Sequence, residues 1–145
     1  MPTLEESRTG FLKGIRAYTR SSERPVFEAI LDDFIAWSDA RPERLAHAER
    51  HYKQHVVSFL DRKSHFIVWS AYPRADDGAK LEIFPGVDSL GEEARSRAVE
   101  VLGGISREPI SEETTLRVPF PALRSDGSRE RVKALIDELL LALPE

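Results

Sequence analysis

The sequence predicts an α+β fold, in which an antiparallel sheet of three or four strands packs with helices in the order α-α-α-β-β-β-α-β-α. Three observations carry this prediction. Apolar residues recur at helical spacing within residues 4–54, at a spacing of two within residues 56–84, and again at helical spacing within residues 128–143. The 145 residues contain no repeat and no linker-like tract, which favours a single domain spanning residues 1–145.

Two helices are expected first. The helical pattern within residues 4–19 is weakened by Gly10 and Gly14, which raise the conformational entropy lost on folding. The second helix is clearer, because Ser22 is a favourable cap and Pro25 is tolerated in a first turn. Its predicted buried stripe consists of Phe27, Ile30, Leu31 and Phe34, with Trp37 as a further candidate.

A third helix is expected over residues 43–54, opened by Pro42. Its inward face would carry Leu45, Ala48 and Tyr52.

The histidines fall in and beside that segment, as His47, His51, His55 and His65. The first three recur every four residues, a spacing that stacks side chains on one helix face. On a helical wheel they lie opposite the packing face, beside Arg50, and are therefore expected to be exposed. The order His-Ala-Glu-Arg-His differs from the His-Glu-x-x-His order of zinc proteases, so no metal site is expected. A pH-responsive stripe facing an anionic partner is the functional alternative.

The period then changes to two. Residues 56–60, 66–72 and 79–84 are rich in β-branched and aromatic side chains, and residues 61–64 and 73–78 have turn composition. An antiparallel meander of three strands follows.

One face of this meander has mixed character. A four-residue loop would pair Leu60 with His65 and place Trp69, Lys80 and Phe84 on the face opposite the apolar one. Two interpretations stay open. In the first interpretation, a helix covers this second face. In the second, Trp69 and Phe84 form, with the cation of Lys80, a platform for a base, a peptide or a small molecule.

Asp61-Arg62-Lys63 follows an apolar strand and invites comparison with the acid-x-lysine of restriction-type nucleases. Such a site needs a second acid at the end of a preceding strand, and the preceding acids fall in the expected third helix. A hairpin loop is the better explanation of this segment.

The C-terminal part returns to helices. Ser89-Leu-Gly-Glu92 has the form of a capping box, and the helix it opens is expected to stop at Gly103. A short strand over residues 115–118 and a strongly amphipathic helix over residues 128–143 complete the pattern.

Composition narrows the function. The chain has no cysteine, which excludes disulfide scaffolds, thiolate metal sites and cysteine nucleophiles. No apolar run approaches the roughly 20 residues that a bilayer requires, and the first residues lack the apolar core of a signal peptide. A cytoplasmic protein without contact to a membrane is expected. The net charge of −4 is unevenly placed, because residues 1–65 carry +1 and residues 66–145 carry −5. This distribution permits an anionic partner for the N-terminal half without requiring one.

From about residue 56 onward, the meander, the strand segment TLRVPFPAL and the helix segment RVKALIDELLLAL resemble uncharacterised bacterial α+β domains. Such domains occur at the ends of proteins described as predicted transport proteins and of restriction-associated proteins. The resemblance covers about 90 residues and rests on segment order. It implies a small binding domain, with a possible link to nucleic acid, and it assigns no site residue.

Together these observations predict a non-catalytic binding module whose partner is another protein. A nucleic-acid-binding accessory domain is the alternative, and a hydrolase with an unrecognised site comes third. No cofactor, no metal and no catalytic residue is expected, and the oligomeric state is left open. The candidate binding residues are Trp69, Phe84, Lys80, His47, His51 and Arg50.

Overall fold

An antiparallel sheet with the strand order β1-β2-β3-β4-β5 organises the computed structural model. The structure describes residues 3–48, 55–85, 90–106 and 116–143. The strands are β1 (Leu45–His47), β2 (Val57–Asp61), β3 (Ile67–Arg74), β4 (Gly78–Ile83) and β5 (Leu116–Pro119). The helices are α1 (Leu4–Ile15), α2 (Arg24–Asp39), α3 (Glu92–Gly103) and α4 (Asp126–Ala142), with a 3₁₀ turn at Phe120–Leu123. The α+β class is confirmed, and the described sheet has five strands where three or four were predicted.

The prediction of a third helix over residues 43–54 is wrong for the part of this segment that the structure describes. Residues 45–47 form β1, in which Leu45 lies opposite Asp61 and His47 lies opposite Phe59. The pairing buries the Leu45 side chain almost completely, and the Arg62 amide donates to the Arg44 carbonyl at 2.8 Å. Pairing with the edge of β2 therefore outweighs the local helical pattern. Residues 49–54 of the predicted helix lie outside the described residues.

The first two helices begin as their sequences allow. Thr3 caps α1 through a capping box, in which the Glu6 amide donates to Thr3 Oγ1 at 3.1 Å and the Thr3 amide donates to Glu6 Oε1 at 3.2 Å. Helix α2 begins at Arg24, two residues after Ser22, and carries Pro25 in its first turn without a side-chain cap. Its predicted stripe is confirmed as buried, and Trp37 is half-buried.

The core lies against one face of the sheet, which we call the core face. The strand register places apolar residues opposite one another on this face: Val57, Ala71, Leu81 and Val118 in one row, and Phe59, Trp69, Ile83 and Leu116 in the next. Helix α2 packs on it through Phe34, whose ring centroid is 5.8 Å from that of Trp69. Helix α1 joins the same core through Phe11, which contacts Phe120 at 5.5 Å between centroids.

The β2–β3 hairpin differs from the predicted one by a bulge. Leu60 lies opposite Ile67, and Phe59 lies opposite Trp69, so β3 has one extra residue, Val68, between the two pairs. The predicted pairing of Leu60 with His65 is therefore wrong. His65 has a φ of 65° and lies in the loop rather than in a strand.

The C-terminal elements follow the sequence closely. Helix α3 ends at Gly103, as predicted, whereas Ser89 of the predicted capping box lies outside the described residues. Helix α4 begins two residues earlier than predicted, because Ser125 provides the cap by accepting from the Ser128 amide at 3.2 Å.

Candidate functional site

A row of polar side chains crosses the face of the sheet opposite the core face. Ser58 lies opposite Ser70, Ser70 lies opposite Glu82, and Glu82 lies opposite Arg117. Side chains of directly opposed residues share one face of a sheet, so these four form a continuous line across β2 to β5. We call them the polar row.

The polar row is internally hydrogen-bonded at its serine end. The Ser58 and Ser70 hydroxyls lie 2.7 Å apart, and both residues are buried. A hydroxyl in a buried position needs such a partner, because an unmade hydrogen bond costs more than the formed one contributes. The serine pair therefore fixes the floor of the site at this end.

Tyr72 extends the site from the neighbouring position of β3. Its hydroxyl donates to Glu82 Oε1 at 3.2 Å. Burial of the phenol, followed by the charge of Glu82, raises the pKa of Tyr72, and a hydrogen bond with Arg117 acts in the opposite direction. Tyr72 therefore stays protonated at neutral pH and holds the Glu82 carboxylate in place.

A cavity of about 600 Å³ opens above these groups. Its floor includes Ser70, Tyr72, Glu82 and Arg117. Its walls include Lys13 and Gly14 of α1, Ala17 and Tyr18 in the turn after α1, His55 and Val56 before β2, and Pro73 and Arg74 of β3. The volume lies within the range of about 300–1,000 Å³ that small-molecule sites occupy.

Two contacts set the position of the α1 wall. Gly14 packs directly on Pro73, and a Cβ atom built at Gly14 would stand 2.4 Å from Pro73 Cγ, so α1 approaches β3 this closely only with glycine there. His55 Nδ1 donates to the Gly10 carbonyl at 3.0 Å and ties the segment before β2 to the same helix. The cavity is therefore bounded by packed elements on these sides.

The charged side chains that line the cavity are mostly basic, whereas the whole chain is acidic. Among the described lining residues, Lys13, Arg74 and Arg117 are basic, and Glu82 is acidic. The whole chain carries −4, so the positive character is local. Arg74 also lies 3.8 Å from the carboxylate of Asp76 at the rim, where both side chains are about half exposed.

The aromatic platform predicted around Trp69 is absent from the described surface, because Trp69 and Phe84 are buried. Trp69 shares the core face with Phe59, and its Nε1 donates to Ser38 Oγ of α2 at 2.9 Å. Phe84 follows β4 with a φ of 47° and joins the core. The bulge explains the difference for Trp69, since the predicted register placed it on the opposite face.

Lys80 lies on the same face as Tyr72 by register, yet it does not line the cavity. Its side chain is buried, and its Nζ lies 3.2 Å from Asp77 and 3.5 Å from Asp76 in the β3–β4 turn. A buried ammonium requires such charge partners. Lys80 therefore stabilises the turn instead of presenting a cation to a ligand.

The histidine stripe is not formed as predicted. His47 lies in β1, half-buried, with its ring 6.0 Å from that of Phe59 in an edge-to-face arrangement. His55 lies at the cavity, and His51 and Arg50 lie outside the described residues. Within the described ranges, no three histidine or carboxylate side chains gather in a group that could hold a metal ion.

Asp61 closes the β2–β3 loop. Its carboxylate is buried and accepts from Arg44 Nε at 2.6 Å, from Ser64 Oγ at 2.7 Å and from the Ser64 amide at 3.1 Å. Burial acts to raise the pKa of Asp61, but the hydrogen bonds from Ser64, Arg44 and Lys63 outweigh it and lower the pKa. These contacts are those of the hairpin loop that the sequence favoured over a nuclease site. They also fix the Arg44 guanidinium, which lies in the segment before β1.

Sequence reasoning did not single out the side chains that form the polar floor of the site. Ser70, Tyr72 and Arg117 alternate with apolar neighbours in β3 and β5, and this alternation is the signal that would have found them. Lys13 and His55 had no such signal, because their place at the cavity depends on how α1 packs on the sheet.

No protein-family model, curated protein or solved structure matches the chain. Among the described residues, no helix combines the length and the apolar character needed to cross a bilayer.

Proposed function

We propose that this chain is a non-catalytic binding module and that the cavity over the polar row is its binding site. The observation that carries the proposal is the combination of a cavity of about 600 Å³ with a floor of hydrogen-bonded polar side chains. Binding sites of this kind hold a few polar groups in fixed positions beside apolar walls. Here the apolar walls come from Ala17, Val56 and Pro73.

The polar groups of the floor are arranged to recognise rather than to react. The Tyr72 phenol is committed to Glu82, and the Ser70 hydroxyl is committed to Ser58. A preformed floor of this type loses little side-chain entropy when a ligand binds. We therefore propose that the cavity binds a group that is released unchanged.

As the source of that group we propose another protein, the partner that the sequence favours. A cavity of this size accommodates a side chain or a chain end presented by that partner. We place this interaction in the cytoplasm of a bacterium, because the chain has no cysteine and resembles bacterial domains.

The test is to fill the cavity without disturbing the core. Ala17 is exposed and lines the cavity, so Ala17→Trp should occupy it. Ala36→Trp, at an exposed alanine of α2 outside the cavity, is the matched control. Binding of a fragment library is measured by amide chemical shifts of the isotope-labelled protein.

We expect at least one fragment to shift the amides of Ser70, Tyr72 and Glu82, with binding lost in Ala17→Trp and kept in Ala36→Trp. The proposal is refuted if no fragment shifts these amides, or if Ala17→Trp binds as tightly as the wild type.

A further inference from the structure

The side chains that line the cavity identify the charge of its ligand. Among the lining residues that the structure describes, basic side chains outnumber acidic ones three to one, although the chain as a whole is acidic. Charges around a concave surface of low polarizability reinforce one another and concentrate ions of the opposite sign. The cavity therefore attracts an anion.

The position of Glu82, the carboxylate among the described lining residues, sharpens this assignment. Glu82 accepts from the Tyr72 phenol and lies directly opposite Arg117 across the strands. Its negative charge therefore has neighbouring donors already, whereas Lys13 is an exposed cation at the end of α1. Lys13 and Arg74 are both exposed where they line the cavity, so an entering anion can reach them.

The walls add a second requirement. Ala17, Val56 and the ring of Tyr18 line the same cavity, and Tyr18 is one of the few large apolar side chains that the described surface exposes. A small inorganic anion leaves these groups in contact with water. A ligand with an apolar body as well as an oxyanion satisfies both the walls and the cations.

We propose, building on the binding function above, that the cavity recognises an organic oxyanion, a carboxylate or a phosphate ester attached to a small apolar body. Lys13, Arg74 and Arg117 attract the oxyanion, and Ala17, Val56 and Tyr18 contact the body. On the proposed binding function, an acidic side chain or chain end of the partner protein supplies this group, and a free small molecule is the alternative that the experiment distinguishes.

The experiment uses probes of one shape and three charges. Benzoate, benzyl alcohol and benzylamine are titrated into the full chain, and binding is followed by amide chemical shifts. Inorganic phosphate is the anion without an apolar group. We expect benzoate to bind at least about tenfold more tightly than benzylamine, and its affinity to fall as salt is added. Phenyl phosphate, titrated in the same way, should bind more tightly than inorganic phosphate, because only the ester has an apolar body.

Two variants of opposite sign locate the effect. Lys13→Gln removes a cation and should weaken benzoate binding about tenfold, and Glu82→Gln removes the repelling carboxylate and should tighten it several-fold. Arg16→Gln is the control for Lys13→Gln, since it makes the same charge change on the same helix end outside the cavity. Thermal melting of each variant verifies that it folds.

The source is distinguished by a short peptide ending in glutamate, compared with its fully amidated form. If the acidic peptide binds more tightly than benzoate, the source is a partner protein. If benzoate binds more tightly than the acidic peptide, the source is a small molecule. Both results support recognition of an oxyanion.

Preference for benzylamine, or tightening in Lys13→Gln with weakening in Glu82→Gln, overturns the oxyanion assignment while leaving the binding function intact. If no probe of any charge shifts the cavity amides, both proposals fail. Binding that survives unchanged in Ala17→Trp places the site elsewhere and also overturns both.

Discussion

Asp61 offers the sharpest test of how the hairpin and β1 are held together, through the substitution Asp61→Ala. Its buried carboxylate joins three parts of the chain: its own strand, the loop through Ser64, and the segment before β1 through Arg44. Removal of the carboxylate leaves the Ser64 amide and hydroxyl and the Arg44 guanidinium without this acceptor.

The magnitude follows from the contacts. Hydrogen bonds to a charged group contribute about 1.5–3 kcal/mol each, and the bonds from Arg44 at 2.6 Å and Ser64 Oγ at 2.7 Å belong to this class. About a third of the Arg44 side chain is exposed, so water replaces part of its loss. We therefore expect Asp61→Ala to lower the free energy of unfolding by about 3 kcal/mol, a large part of the stability of a domain of this size.

The assay is urea unfolding at several pH values, with Asp39→Asn, at an exposed acid of α2, as the control. The folded-state pKa of Asp61 is lowered, so its stabilisation is fully present above the unfolded aspartate pKa of about 3.9 and is lost as pH falls through the folded value. The gap between wild type and Asp61→Ala should therefore shrink below pH 4. A gap under about 0.5 kcal/mol at pH 7, or one that stays constant on acidification, refutes the reasoning.

Three further predictions concern the helix, the core and the site. Gly14→Ala should lower the free energy of unfolding by about 1–3 kcal/mol, measured with urea, despite the higher helix propensity of alanine. Gly127→Ala is the control, because it has open space at Cβ and should raise the free energy of unfolding by about 0.5–1 kcal/mol. Equal effects of the two substitutions contradict the close approach of α1 to β3. In a Trp37→Phe variant, the emission of Trp69 should be blue-shifted and resistant to acrylamide, and a quenchable red-shifted emission would show an exposed ring. Tyr72 has a raised pKa in the folded state, so the stabilisation from its protonated form is fully present below pH ~10 and is lost as pH rises through the folded pKa. Tyr72→Phe should remove this alkaline loss of stability. If the free energy of unfolding of Tyr72→Phe falls at alkaline pH as it does in the wild type, the role assigned to Tyr72 is wrong.

The periodicity of apolar residues predicted the helices that bury a continuous apolar stripe. Helix α4 and the buried stripe of α2 were recognised because each buries one apolar stripe along its length, a property that the sequence carries locally. The fold class followed from these helices and from the spacing of two in β2 to β4.

Two features that depend on a neighbouring strand were not predicted. The segment around β1 has a helical pattern, and only the free edge of β2 and the Arg44–Asp61 contact turn it into a strand. The bulge at Val68 is a second case, because one extra residue reverses the face of every side chain on one side of it. That single residue exchanged the positions expected for Trp69 and Ser70, and with them the aromatic platform and the polar row.

The polar row itself gives the last prediction, because sheet stability alone does not explain it. Ser58 and Ser70 are buried partners, and a buried polar pair contributes little more than an apolar pair of the same shape. Ser70→Ala leaves the Ser58 hydroxyl buried without its partner and should cost about 1–2 kcal/mol, whereas the double variant Ser58→Ala, Ser70→Ala removes both groups and should be more stable than the single one. If the row serves binding, the double variant folds but loses affinity for the cavity ligand, as amide shifts would report. A double variant that is less stable than Ser70→Ala would assign the pair to the fold instead.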